Sequence, residues 1–288
     1  MIGILSALGA ASSWTFACYL WRKQTKYFSA TQINLIKNVI AFFIFSPIIL
    51  TLDFISNWYE IVILLLSGVI GIAIGDSFYI ASLKKLGTRR TLTVEATLPI
   101  ISTLLGLFLL NEMPSVKVCL GTLTVSLSLI GVASQQTTLD NFDKSISIDK
   151  KGFLFAFISI LCAVIGAILS RLVLKNSNLN PFQTTEIRLL GSLIVLIPFV
   201  KLNFIKKIRD LTTGKKYGIF YATFLGTNLG ILLQQNVFLV LPIGLGWTLL
   251  STSPAFALFF LKLEGEKLNW QKLVFTFSII LGVAIVLI

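Results

Sequence analysis

The chain has 288 residues, 56% of them hydrophobic and only 12% charged, and its mean hydropathy is +0.90. Soluble domains carry about twice that share of charge, so the composition excludes a soluble enzyme or binding module and leaves a polytopic membrane protein. The net charge of +12 sits in short connections rather than on one basic face, which argues against a nucleic-acid partner, and the absence of His removes the commonest metal ligand and the usual proton shuttle.

Ten apolar runs of about 20 residues, each able to cross a ~30 Å hydrocarbon core, can be laid along the chain. The first, 3–21, starts without a basic leader and ends at Arg22 and Lys23 without a cleavage site, so it reads as a retained helix. It carries Gly9, Ser12, Ser13 and Cys18, with Trp14 among them. The second, 30–50, places Asn34, Lys37, Asn38 and Ala41 on one face by their three- and four-residue spacing. The third, 61–83, has Gly68, Gly71, Gly75, Asp76 and Tyr79 along one side. A basic turn at 84–90 leads to the fourth, 91–110, striped by Thr91, Glu95, Pro99 and Ser102, and the fifth covers 116–133. After a polar connector, 135–151, five more spans are expected at 153–174, 182–200, 217–240, 246–263 and 268–288. Cys18, Cys119 and Cys162 all lie in apolar runs and imply no disulfide framework.

The chain is a doubled unit. Gly71, Gly75 and Pro99 recur 155 residues on as Gly226, Gly230 and Pro254, and Gln32, Lys37 and Pro47 recur 151 residues on as Gln183, Arg188 and Pro198. Gly-x-x-x-Gly pairs in apolar helices let backbones approach closely, so both pairs and both prolines are read as helix-packing residues. The odd-numbered connections hold 3, 4, 3, 6 and 3 Lys or Arg, whereas the other side has Lys117, Arg171 and Lys175. The positive-inside rule then puts both termini on the outer side of the cell (inner) membrane. Five helices per repeat is an odd number, so the halves 1–134 and 152–288 insert in opposite senses. The expected fold is all-α, ten transmembrane helices in two inverted five-helix repeats. Such repeats are frequent in secondary transporters, with the site between them near the midplane.

Several short motifs resemble those of the EamA type within the drug/metabolite transporter superfamily. They are Ala81-Ser82-Leu83-Lys84 after the third span, Pro99 in the fourth and Asn111-Glu112-Met113-Pro114-Ser115 beyond it, answered by Pro254 and Gly265-Glu266-Lys267-Leu268-Asn269. Asn111 stands where the family has Gly. The resemblance covers nearly the whole chain. It implies ten helices in two repeats, a basic residue in each second helix at Lys37 and Arg188, and transport of small metabolites, often amino-acid export, without a cofactor.

Ionisable groups inside apolar spans cost roughly 2.5–3.5 kcal/mol on insertion scales and mark functional sites. Here they are Lys37, Asp76, Glu95, Glu186 and Arg188. Lys37 and Arg188 occupy equivalent positions and are expected to line a cavity and attract an anionic group; pairing with carboxylates or snorkelling to the interface is the structural alternative. Asp76 and Glu95 are expected to neutralise these cations or take up protons. Glu186, about one turn into its helix, is expected at the interface. Asn34, Thr227 and Gln234 offer polar lining, and Trp14, Tyr79 and Trp247 could stack on a ligand or simply pack.

These features predict a carrier, and more specifically an exporter, of small polar metabolites such as amino acids, working by alternating access around a central cavity. Multidrug, lipid-linked-sugar or nucleotide-sugar transport on the same fold is the alternative, and a membrane-embedded enzyme has least support. No catalytic residue, metal or cofactor is expected. The expected partners are a small-molecule substrate and the lipid bilayer, without nucleic acid, in a monomer or weak homodimer.

Overall fold

Two helices of the computed structural model begin with the same device. Ser29 Oγ accepts from the Gln32 N–H while the Gln32 side chain accepts from the Ser29 N–H, and Asn180 and Gln183, 151 residues on, repeat the exchange. Each box satisfies donors that the first helical turn leaves open. Ser29→Ala and Asn180→Ala are each expected to cost about 1 kcal/mol, read as a lowered melting temperature in detergent.

The structure describes residues 1–24, 26–133, 150–200, 204–257 and 270–287. The helices are α1 (Ile2–Gln24), α2 (Ala30–Phe45), α3 (Trp58–Gly68), α4 (Asp76–Glu95), α5 (Leu98–Leu110), α6 (Val116–Ala133), α7 (Lys150–Asn176), α8 (Pro181–Phe199), α9 (Phe204–Arg209), α10 (Thr213–Thr223), α11 (Gly230–Val240), α12 (Ile243–Leu250), α13 (Ser253–Ala257) and α14 (Trp270–Leu287). A 3-10 segment, Ser46–Thr51, follows α2, and no strand occurs among the described residues. Seven helical stretches among them are long and apolar enough to cross a membrane, from Ile2–Trp21 to Pro181–Phe199. The polar connector lies almost wholly outside the described residues, as do the end of the ninth expected span and the Gly265 to Asn269 motif.

Irregularities recur in register. The glycine pairs lie at π-helical turns, Val69–Gly75 joining α3 to α4 and Phe224–Leu229 joining α10 to α11, whose starts are 155 residues apart; Gly71, Gly75 and Gly226 fall within them and Gly230 opens α11. Helical runs are also interrupted at Ala96–Thr97 and, 155 residues later, at Ser251–Thr252. Each break lies just before Pro99 or Pro254, where a proline lacks an N–H and its ring clashes with the preceding turn. The fourth expected span remains one membrane-length stretch, Thr93–Leu110, with the turn inside it, and the ninth carries the matching turn at Ser251–Thr252.

The basic connection expected at 84–90 leads from one membrane-length stretch, Trp58–Leu86, to the next, Thr93–Leu110. The backbone stays helical from Asp76 to Glu95, since Lys, Arg and Leu are good helix formers and only Gly87 opposes them. Asp76 and Glu95 nevertheless line one cavity. A straight helix would hold them about 28 Å apart at 1.5 Å per residue, so α4 bends strongly between its ends.

Packing crosses between the halves. α1 lies against α11 and the second π turn, α7 against α4 and the first π turn, α2 against α8, and α6 against α14. A Cβ on Gly226 would stand 2.5 Å from Ala17 Cβ on α1, and one on Gly71 3.5 Å from Gly166 Cα on α7. Small residues therefore set the helix separation at both π turns. Gly3 on α1 faces Leu241 just as Gly152 on α7 faces Leu86. Lys215 Nζ stands 4.5 Å from the centroid of the Tyr27 ring, bringing the basic connections after α1 and α9 to one face.

Candidate functional site

Where the π turns approach α1, α7 and α8, their small residues leave space that no neighbour fills. The result is a cavity of about 150 Å³ lined from both halves of the chain. Trp14 on α1, Asp76 and Tyr79 on α4, Glu95, Arg188 on α8 and Gln234 on α11 contribute polar groups, and Phe238 and Trp247 an apolar end. Gly71, Gly75, Gly226 and Gly230 contribute bare backbone. Trp14 and Tyr79 have ring centroids 6.5 Å apart, and Phe238 and Trp247 are 5.8 Å apart.

The two cations expected to act alike do not. Lys37 is 4% exposed by side chain and forms an ion pair with Asp76, so it contributes charge to the site through its partner rather than from the lining. Its Nζ also stands 5.9 Å from the centroid of the Trp14 ring. Arg188 lines the cavity, with Nη2 against Gly71, while Nε and Nη1 are buried with no hydrogen-bond partner among the described residues. Trp247 Nε1 is in the same condition. Buried donors are rarely left without acceptors. Three donor nitrogens of cavity-wall residues, Arg188 Nε and Nη1 and Trp247 Nε1, thus make no hydrogen bond among the described residues.

Asp76→Asn strands a nearly buried ammonium and is expected to cost about 3–5 kcal/mol. Lys37→Met should cost less, because the Asp76 side chain keeps 25% exposure. The double variant should lose less than the two single losses together, measured by thermal melting in detergent.

Other expected site residues serve the frame. Asn34 is fully buried, and its Nδ2 donates to the carbonyls of Ile72 and Ala73, at 2.8 and 3.2 Å, and to Ser77 Oγ at 3.0 Å. These carbonyls belong to the first π turn, so Asn34 satisfies acceptors there. Asn228 in the second π turn donates to the Ala41 carbonyl at 3.0 Å. Thr227 is buried beside it, outside the cavity lining. Pro99 is buried at the start of α5. The side chain of Pro254 is outside the described residues.

Glu186 corrects the sequence reading most sharply. It is fully buried, both carboxylate oxygens lack a hydrogen-bond partner among the described residues, and it does not line the cavity. Depth along the helix predicted an interfacial position. The start of α8 is instead covered by the 3-10 segment, to which Gln183 Nε2 donates at Thr51 O and Oγ1, and by Phe45 packed on Phe182. Ser159 and Phe238 in the cavity wall were not found from sequence, because a serine and a phenylalanine in apolar helices carry no distinguishing signal.

Helical spans of membrane length around a polar, charge-bearing cavity point to an integral membrane protein. The chain belongs to the EamA-like transporter family, which matches residues 1–134 and 150–288, within the drug/metabolite transporter superfamily. Its members are transporters rather than enzymes, so a small-molecule substrate and a lipid environment follow. A solved structure described only as "Crystal structure of protein" is similar in fold, with a TM-score of 0.73 over 98% of this chain and 95% of that one at 12% identity. No curated protein matches the chain.

Proposed function

We propose that the protein is a secondary transporter that exports small polar metabolites such as amino acids by alternating access around the central cavity. The observation that carries this reading is the Arg188 guanidinium, whose Nε and Nη1 make no hydrogen bond among the described residues, in a cavity that also holds Asp76 and Glu95. A carboxylate at Arg188 and an ammonium toward Glu95 would match a zwitterion. The volume of about 150 Å³ favours a small solute, since sites for drug-sized ligands occupy roughly 300–1,000 Å³.

The same reading takes the fold as ten membrane helices in two inverted repeats, 1–134 and 152–288, joined by the connector 135–151. The matched π turns, proline breaks and crossed packing of α1 and α7 support it. It places the basic connections in the cytoplasm and both termini outside the cell membrane, and takes the protein to work as a monomer or weak homodimer without nucleic acid. A cytoplasmic reporter signal after Ile288 would overturn the orientation.

The direct test is flux into proteoliposomes over a panel of amino acids and related metabolites, with and without a pH gradient. Uptake of one of these solutes by the wild-type protein, above that of empty vesicles, is expected. The aromatic lining favours a second reading, transport of hydrophobic cations; flux of such cations with no amino-acid flux would replace the first.

A further inference from the structure

A second charged cluster lies away from the cavity lining. Arg171 on α7, 4% exposed, pairs through Nε with Glu112 Oε1 and donates through Nη1 to the carbonyl of Phe238 on α11. Glu112 Oε2 accepts from the N–H of Ile243, the first residue of α12, at 2.7 Å. Lys175 stands 3.8 Å from Glu112 Oε1 at the rim. Glu112 is itself held in place: Asn111 takes the left-handed conformation, φ 53°, and the Glu112 N–H donates to Gly106 O. Asn tolerates that conformation, which explains how it stands where the family has Gly.

This cluster ties the segment after α5, in the first half of the chain, to α7, α11 and α12 in the second. It sits directly behind the cavity, because the residue whose carbonyl Arg171 holds, Phe238, belongs to the cavity wall and packs its ring on that of Trp247. Both charges use directional bonds to backbone groups of α11 and α12, an arrangement that holds one geometry and would be lost as a unit if those helices separated from α7 and the segment after α5.

We propose that Glu112 and Arg171 form the latch that closes one face of the carrier, with Phe238 as the link between cavity and latch. The proposal rests on the transport reading above and adds the residues that hold one gate shut. Displacement of the Phe238 backbone withdraws the acceptor of Arg171 Nη1, so the latch releases when that end of the cavity moves. Arg171 and Glu112 are positioning residues that need not touch the solute.

The test follows access to the cavity, and so needs no substrate. Ser159, in the cavity wall, becomes the reporter as Ser159→Cys in the full chain with Cys18, Cys119 and Cys162 replaced by Ser. A membrane-impermeant methanethiosulfonate is applied from the face that carries Glu112, identified by labelling of a separate Met113→Cys protein, since Met113 is 84% exposed. Glu112→Gln and Arg171→Gln should each speed reporter labelling from that face at least tenfold, with Arg171→Lys intermediate. Unchanged rates in folded variants would overturn the proposal and mark the pair as structural only.

A second measurement does not depend on those variants folding. A Cβ on Gly106 would lie 3.9 Å from Ile243 Cβ, within the span of a disulfide. Diamide oxidation of Gly106→Cys/Ile243→Cys in the reporter protein should lower the residual labelling from the latch face at least tenfold, reversibly with reductant. Unaltered labelling in the cross-linked protein would overturn the latch. Loss of labelling without flux of any solute would leave the latch standing and overturn the transport reading instead.

Discussion

Arg188→Ala is expected to abolish saturable transport while leaving the protein at least as stable as before. Removing one partner of a buried charge pair costs a ligand about 2–5 kcal/mol, a loss of affinity of roughly 30-fold to several thousand-fold. The protein itself loses little, because Nε and Nη1 make no hydrogen bond among the described residues that would be broken. Arg188→Lys should keep part of the affinity, since it retains the charge and loses the planar fork that binds a carboxylate through two bonds. Substrate-dependent stabilisation in a melting assay, together with flux, reads both quantities in the same preparation. A variant that binds and transports as the wild type does would remove Arg188 from the site. Lys37 provides the contrast: its loss should act on stability first, through the stranded Asp76 carboxylate.

The second large effect concerns Gly68. A methyl group there would collide with the carbonyl oxygen of Arg188, a backbone atom that cannot swing aside. Gly68→Ala must therefore push α3 from α8, at about 1–3 kcal/mol for overpacking, and shift the helix turn that aims the guanidinium. We expect a lowered melting temperature and lost transport together. Gly191→Ala, whose methyl would strike the Leu65 carbonyl, should behave likewise. Gly214→Ala is the control, because nothing stands within 4 Å of its Cβ position; it should leave both readouts intact.

The sequence carried the glycine and proline register plainly, because small residues and prolines recur at fixed offsets only where the backbone demands them. Hydropathy also located seven of the ten expected spans among the described residues, as burial in lipid requires long apolar runs. It did not reveal the π turns, since an extra residue in a turn leaves no compositional mark. Charge partners were equally hidden. Lys37 and Asp76 lie on separate helices, and their pairing depends on how α2 meets α4. Glu112 and Arg171 looked like a motif residue and a stray loop charge until the fold brought them together. The burial of Glu186 depends on how the start of α8 meets its neighbours, the 3-10 segment among them, a tertiary event with no trace in the span itself.

An α-helix advances by about 100° per residue, so a turn that holds one residue too many works as a dislocation in the rod. Annealing it out at Val69–Gly75 would rotate the start of α4 by about that angle against α3. Asp76, the first residue beyond the defect, would swing off Lys37 without any helix having to unfold. The glycines leave few side chains to be dragged through such a slip. Between them they make each third helix of the two halves a shaft with a built-in joint, placed at the wall of the cavity.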